Sequence, residues 1–541
     1  ALPAQAQPAG ATAIHGSAHL QQQGSRLVVT TTNGAGTAHS AINWQSFSVP
    51  GGSTTHFAQP HAASTSINRV VGPDPSAIFG TLSSNGRLVL VNPAGITVGA
   101  GAVVDTAGFT ASTLRMSDAD ALAGRLRFAD GAGGPLRVDG RVIARQGDVV
   151  LIAPQVEAGA QALVESPQGA TILAAGQKVE VTGRGLEGIV FEVQAPSDQA
   201  LNLGTLRGDA VGVFAGTLRH SGLVEALGAS TEGGKVVLRA AGGGALVGGR
   251  LRGPAAGGRG GSVDVLGERV GLLAGALVDA SGANGGGQVR VGGDYQGANA
   301  AVPNAKRTFV DANARIQADA TQQGDGGRVI VWSDEVTRMH GQVSARGGAQ
   351  GGDGGFAEVS GKQYLDYTGL VDLRAPQGDK GLLLLDPEDI TIVRSDSASS
   401  TNTFPTSTTD TFPRTNTSVN PAMFAPTTSS GAVTLTDTQL KNQLAFSDVL
   451  VKTSSAINTG TGGQITVNPD AVVAWSSDSS LTLQADKGIA VHGILSNSTS
   501  TVAGIHLHAD NGAIEVGPGA IVEAVAHHHS PQRVGHSVFD A

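Results

Sequence analysis

The phrase Gly-Gly-x-φ-x-φ, in which φ is a small apolar residue, recurs along the middle of the chain and restricts its fold more than any other feature. It reads GGKVVL at Gly233, GGSVDV at Gly260, GGQVRV at Gly286, GGRVIV at Gly326 and GGFAEV at Gly354, with a further copy, GGQITV, at Gly462. The first five copies start 27, 26, 40 and 28 residues apart (233, 260, 286, 326, 354). Between them lies a second phrase, as in Gly275-Ala276-Leu277-Val278-Asp279-Ala280, Gly341-Gln342-Val343-Ser344-Ala345 and Gly369-Leu370-Val371-Asp372-Leu373. Each unit therefore holds at least two short strands of period two, each introduced by glycine.

Alternation places Val236/Leu238, Val263/Val265, Val289/Val291 and Val329/Val331 on one face, with Lys235, Ser262, Gln288 and Arg328 on the other. One unit alone cannot bury so narrow a stripe. Stacked at the strand spacing of about 4.8 Å, the stripes become a continuous core. The glycines are expected to supply corners with φ > 0 between the faces. The expected fold class is therefore all-β, a parallel β-helix or solenoid. A β-sandwich array is the competing architecture, but it needs turns such as Asn-Gly between paired runs, and these are few. The 40-residue interval predicts an insertion at residues 292–307, expected to form a loop leaving the helix.

Composition agrees and excludes other classes. Glycine makes up 79 of 541 residues, aromatics 4% and charged residues 15%, and cysteine is absent. Mean hydropathy of +0.02 with a net charge of 35 − 44 = −9 is not the balance of a disordered chain. Without cysteine, a disulfide scaffold or thiolate metal site is impossible, whereas a chain that crosses a membrane as an unfolded thread is favoured. No apolar run is long enough for a membrane helix. An acidic balance gives no reason to expect nucleic acid as a partner.

The expected organisation follows from these shifts in pattern. Ala4-Gln5-Ala6 has the small-x-small form of a signal-peptidase site, so residues 1–9 read as the remnant of a signal peptide. Residues 241–394 hold the glycine-rich repeats, and 10–240, the β-helical domain before them, take their bounds from the family resemblance described below. Residues 395–430 are a Ser/Thr/Pro-rich linker, 431–526 a further β-rich segment, and 527–541 an irregular tail.

From Ile42 the chain reads INWQSFSVPGGSTTHF, then Ile67-Asn68-Arg69-Val70, then PSAIFGTL at Pro75. Ser84-Asn85-Gly86-Arg87-Leu88 and VNPAGITVGAGAVVDTAGFTAST, ending in Ala111-Ser112-Thr113, follow. The order of these phrases across residues 42–113 resembles the secretion domain of two-partner secretion exoproteins, the filamentous-haemagglutinin family. The resemblance implies a right-handed β-helix capped at its N-terminal end. It also implies a partner, an outer-membrane β-barrel transporter with periplasmic POTRA domains, and hence an extracellular or cell-surface location. The family's NPNGI turn is occupied by Asn92-Pro93-Ala94-Gly95-Ile96, with Ala94 in place of the usual Asn, and no NPNL motif lies upstream. Pro93 and Gly95 are also what a tight turn demands on backbone grounds alone. The residues assigned to this secretion motif are Asn68, Arg69, Asn85, Gly86, Asn92, Pro93, Gly95 and Ile96.

Residues that could carry chemistry were weighed against plainer roles. His506-Leu507-His508 places two imidazoles on one strand face and His527-His528-His529 lies near the end, but the spacing suits no zinc site. Asp386-Pro387-Glu388-Asp389 reads as a turn at the end of a repeat block rather than a catalytic pair. Gln323-Gly324-Asp325-Gly326-Gly327 and Gly352-Asp353-Gly354-Gly355 lack the calcium-binding tandem and read as turns. Arg207-Gly208-Asp209 matches an integrin-type tripeptide and is a possible receptor contact. No cofactor, metal or enzymatic activity is expected. The chain reads as a secreted adhesin or biofilm matrix protein that binds a host receptor, glycan or exopolysaccharide. Its rivals are the N-terminal part of a contact-dependent toxin, haemolysin or haem-acquisition exoprotein, and, from a different class, a β-helical polysaccharide-degrading enzyme.

Overall fold

The computed structural model describes residues 7–130, 133–228, 233–395, 433–454, 462–498 and 503–524. Residues 1–6 of the expected signal remnant, the expected linker beyond Ser395 and the tail 527–541 lie outside the described residues. The chain divides into two compact units, Ala1–Pro254 with Ser262–Gly267, and Ala255–Gly261 with Glu268–Ala541. Both are parallel β-helices.

In the first unit, successive coils lay short strands on one another in parallel register. Leu82, Val104, Val142, Val164, Leu206, Val224 and Leu251 form one continuous ladder of register partners. All seven are fully buried. The N-terminal end is closed by a change of direction: Thr12–His15 runs antiparallel to His39–Trp44, and Ser17–Gln23 antiparallel to Arg26–Thr32. Beneath this cap, Trp44, Phe47 and Phe57 pack with ring centroids 5.5–6.4 Å apart, a geometry favoured by the ring quadrupoles.

One face of this unit carries a second apolar layer. The strands Arg87–Val91 and Val149–Ala153 are apolar on both faces. Their outer residues Val89, Val91, Val150 and Ile152 pack against Leu114, Met116, Ala121, Phe128 and Val179. Leu114 and Met116 come from the segment before the helix Asp118–Ala123, Ala121 from that helix, and Phe128 and Val179 from an antiparallel sheet of Leu126–Phe128, Lys178–Val181 and Ile189–Val193. Ser117 caps the helix by accepting from the Asp120 amide, and Gly124 ends it in the left-handed conformation.

In the second unit the alternation holds. Val289, Val291, Val329 and Val331 are fully buried, while Gln288 and Arg328 face outward. The role expected of the glycine pairs needs correction. From Gly260 to Gly355, neither glycine of a pair has positive φ; only the copy at Gly462 and Gly463 does. What excludes a side chain is close approach of the preceding coil. A Cβ on Gly287 would lie 2.1 Å from the Gly261 carbonyl oxygen, and one on Gly327 would lie 2.2 Å from that of Gly287. On Gly355 it would lie 2.1 Å from the Gly327 oxygen, and on Gly381 1.9 Å from that of Gly355. The same glycines bond in both directions. The Gly355 amide donates to the Ala345 carbonyl across the corner (2.8 Å), and the Gly355 carbonyl accepts from the Leu382 amide of the next coil (3.2 Å).

The insertion after Val291 leaves the strand stack as expected, but it folds back onto the unit as a strap. The turn Tyr295–Gly297 sets Tyr295 edge-on to Phe356, and the Arg328 guanidinium lies 4.9 and 4.7 Å from these two rings. The Gln296 amide donates to Glu358, and its side chain donates to Asp386 (3.2 Å). Burial under the strap pushes the Glu358 carboxyl up to about 7 and raises that of Asp386. Holding Gln296 at φ 51° stores backbone strain. Among the described residues the next strand is Val433–Thr436, and the helix Asp437–Gln443 follows it, opened by a capping box between Thr436 and Gln439.

A glycine-to-alanine comparison checks the close-approach account. Gly355→Ala is expected to lower unfolding free energy by about 1–3 kcal/mol in urea denaturation, the usual cost of overpacking. Gly257→Ala, where a Cβ meets nothing within 4 Å, is expected to change it by less than about 0.5 kcal/mol. Equal midpoints for the two variants would remove this explanation of the glycine column.

Candidate functional site: the secretion-motif turn and its groove

Asn92 ends the doubly buried strand Arg87–Val91 and turns its side chain into the coil, where it is fully buried. Its Oδ1 accepts from the Ala94 amide (3.0 Å), while its Nδ2 donates to the Asp74 carbonyl (3.0 Å) and to Ser76 Oγ (2.9 Å). The Gly95 amide donates to the Asn92 carbonyl (3.1 Å), closing a four-residue turn. Pro93 presets φ at the second position, and its carbonyl accepts from the Gly134 amide of the next coil (2.8 Å). Gly95 takes φ 124°, which a side chain would strain. Ile96 then returns to the core and pairs with Ser76 and Leu136 on either side. Ala94 alone stands exposed at the tip. The departure from the family's usual Asn therefore falls where no packing constraint acts.

The other motif residues hold the neighbouring coils. Asn68 is fully buried; it accepts from Trp44 Nε1 (3.0 Å) and donates to the Ser66 carbonyl (3.0 Å). This bond joins the Trp44 and Asn68-Arg69-Val70 phrases in space. Asn85 clamps Gln59, accepting from its amide (2.7 Å) and donating to its carbonyl (2.8 Å). Gly86 sits where a Cβ would strike the Gln59 side chain at 2.6 Å. Arg69 points outward, with its side chain 12% exposed, and Nη2 is 2.5 Å from Asp118, the first residue of the covering helix.

Beside the turn lies an open groove. One cavity of about 500 Å³ is lined by Arg69, Val70, Val71, Pro73, Pro93 and Arg115, among others. A second, of about 590 Å³, continues past Arg115 and Met116 to Asp120, Arg127, Lys178 and Glu192. At the far end of the second cavity Arg127 pairs with Glu180 and Lys178 with Glu192. Sequence reasoning singled out Arg69 and Pro93 but not Arg115 or Met116. No local signal in the sequence marks either residue.

The remaining motifs are placed elsewhere. Arg207-Gly208-Asp209 lies in the strand Thr205–Ala215, with the Arg207 guanidinium held by Glu225 at 2.9 Å, so the tripeptide is not presented on a loop tip. Asp325 and Asp353 are turn residues whose carboxylates accept from the Asp353 and Asp379 amides, one coil to the next. Asp386 and Asp389 accept from Ser454 and the Gln464 amide as parts of a turn. His506 and His508 share the outer face of Ile505–Ala509, and His508 pairs with Asp510; His527, His528 and His529 lie outside the described residues. Among the described residues no group of three or more His, Asp or Glu is arranged to hold a metal ion, and no helix is long and apolar enough to cross a membrane.

A capped parallel β-helix, a buried Asn-Pro-x-Gly turn and an added antiparallel sheet define the class of secretion domains that precede large exported proteins. Residues 4–264 match the family model of the TPS secretion domain. The structure is similar to the secretion domain of HMW1 from Haemophilus influenzae, at a TM-score of 0.61 and 29% identity, covering 69% of this chain and 99% of that one. The sequence is 33% identical over 106 residues to a heme/hemopexin-binding protein of Haemophilus influenzae (strain Rd), covering 20% of this chain and 11% of that protein. A second heme/hemopexin-binding protein from Haemophilus influenzae is 36% identical over 78 residues, 14% of this chain and 8% of its own length. The alignments thus span about a tenth of these relatives. Residues 4–264 thus form a TPS secretion domain, and exoproteins that carry this domain are secreted across the outer membrane to the extracellular space or cell surface.

The turn makes a stability prediction. Asn92→Ala leaves the Asp74 carbonyl, Ser76 hydroxyl and Ala94 amide short of a buried partner, so a loss of about 1–3 kcal/mol is expected. Asn92→Asp restores the acceptor for Ala94 but buries a charge beside two acceptors, and is expected to fare no better. Chemical denaturation of both variants provides the check, and wild-type stability in Asn92→Ala would show the turn to be dispensable to the fold.

Proposed function

We propose that the N-terminal domain is an export address read by an outer-membrane β-barrel transporter with periplasmic POTRA domains. The solenoid that follows is the cargo, working at the surface as an adhesin or matrix protein. The observation that carries the address reading is the Asn92 turn. Four hydrogen bonds of Asn92 hold a turn whose exposed tip is the single residue Ala94, and they set that tip at the rim of the groove. The adhesin reading is supported by the long outer faces of the coils, with their charged and hydroxyl side chains. The domain binds and addresses; no catalytic step is assigned to it. Folding outside the cell would proceed from the N-terminal cap, each coil templating the next, which would help to draw the thread across.

The names of the two relatives favour a second reading, in which the exported chain captures haem or hemopexin. The two readings separate by binding: purified chain that retains hemopexin on an affinity surface supports capture, and adhesion to cells or matrix glycans without hemopexin binding supports the adhesin.

Export is tested by expressing the chain with its cognate transporter and measuring protein in the medium. Asn92→Ala and Pro93→Ala are expected to reduce the exported fraction by roughly tenfold, the scale of a lost 1.4 kcal/mol of recognition. Arg207→Ala, distant from the turn, is expected to export normally. Undiminished export of both turn variants would contradict the address reading.

A further inference from the structure

The groove beside the Asn92 turn contains two cations that the fold leaves incompletely satisfied. Arg69 is held from one side only: Nη2 meets Asp118, while Nη1 is buried with no hydrogen-bond partner. A buried guanidinium N–H without a partner is costly, and such groups in native proteins call for a ligand or a functional explanation. Arg115, across the same cavity, is exposed, and its side chain makes no hydrogen bond or ion pair among the described residues. Four of the arginines that follow Arg115 in the chain are paired, Arg125 with Asp120, Arg127 with Glu180, Arg137 with Glu157 and Arg145 with Asp105. The walls between the two guanidinium groups are apolar: Val70, Val71, Pro73, Val91, Pro93 and Met116.

Resting on the export-address reading, the geometry points to this cavity as a carboxylate-binding notch, whose occupant is an Asp or Glu side chain of the transporter's periplasmic part. A carboxylate entering the notch meets the exposed guanidinium of Arg115, with the positive charge of the half-satisfied Arg69 guanidinium in the same wall. Charge-assisted bonds of this kind are short and directional. Asp118 contributes by positioning. It is three-quarters exposed and holds the other arm of Arg69, so the guanidinium is fixed before a partner arrives. The turn supplies the adjacent shape, because Pro93 and Ala94 form one rim of the notch. Backbone shape at the tip and charge in the notch would thus be read together, the first setting register and the second setting partner choice.

The test uses the intact chain and the purified periplasmic domains of the cognate transporter, with affinity measured by titration calorimetry between 50 and 300 mM NaCl, roughly the range over which ionic screening changes most. Wild type is expected to bind, and more weakly as salt rises. Arg115→Gln is expected to bind about tenfold more weakly with a flatter salt dependence, Arg69→Gln likewise, and Arg115→Lys to retain part of the affinity. Since Arg115 is exposed, Arg115→Gln should keep the wild-type denaturation midpoint, which separates a lost contact from a lost fold. Wild-type affinity and salt dependence in Arg115→Gln and Arg69→Gln, while a turn variant loses binding, would overturn the notch and leave the address reading standing. Absence of binding by the wild type would overturn both. As a second arm, free acetate up to 100 mM should compete with the transporter domains more strongly than chloride at matched ionic strength. Equal competition by the two salts would count against a carboxylate as the occupant.

Discussion

Everything in this molecule depends on the backbone bonds between one coil and the next. In a parallel β-helix these bonds run along the stack, so each coil must sit about 4.8 Å above the last over its whole perimeter, corners included. Straight segments satisfy this with any alternating sequence. Corners do so only when the chain turns without pushing its neighbour away. The column Gly287, Gly327, Gly355 and Gly381 meets that demand by carrying no side chain where the carbonyl of the preceding coil lies about 2 Å from the missing Cβ. The core can then be thin and made of valine, leucine and alanine, which accounts for a stable fold with so few aromatic residues.

The candidate site grows from the same constraint. Where the N-terminal coils turn without a glycine pair, a buried asparagine takes over. Asn92 binds backbone on two sides and Ser76 on a third, doing with side-chain amide bonds what the glycine column does with close approach. Asn85 likewise bonds the Gln59 backbone at the turn after Thr81–Ser84, while Asn68, within the strand Thr65–Val70, ties Trp44 to the coil. These residues shape the site without touching a partner. The surface on offer is what they hold in place: the exposed tip at Ala94, the rim at Pro93, and the groove running past Arg69 to Arg115.

The stack itself was legible in the sequence because the inner positions alternate and the glycine pairs recur; Val289, Val291, Val329 and Val331 fall where their spacing puts them. The reason for the pairs was misread, since left-handed corners and close-packed corners both select glycine and a sequence does not distinguish them. The covering layer was not legible. Val89, Val91, Val150 and Ile152 make their strands apolar without alternation, a pattern that fits burial by many partners. The partners come from distant segments, as Arg127 meeting Glu180 illustrates. The strap was half legible: the 40-residue interval marked an insertion, but nothing local indicated that Gln296 would reach Glu358 and Asp386. Of the site, the turn residues were legible through their turn chemistry and the family pattern. Arg115 was not, because an isolated surface arginine carries no signal until the groove around it exists.

Register is the central claim, and the absence of native cysteine allows it to be measured without competing thiols. Arg315 and Gln342 are exposed register partners on adjacent coils. At about 4.8 Å between Cα atoms they fall within the span of a disulfide. Arg315→Cys with Gln342→Cys should therefore cross-link readily under mild oxidation, seen as a mobility shift reversed by reductant. Arg315→Cys with Ser344→Cys, two residues out of register and about 8 Å apart, should not. Cross-linking of the second pair as readily as the first would contradict the stacked parallel register on which the fold, the glycine column and the site all rest.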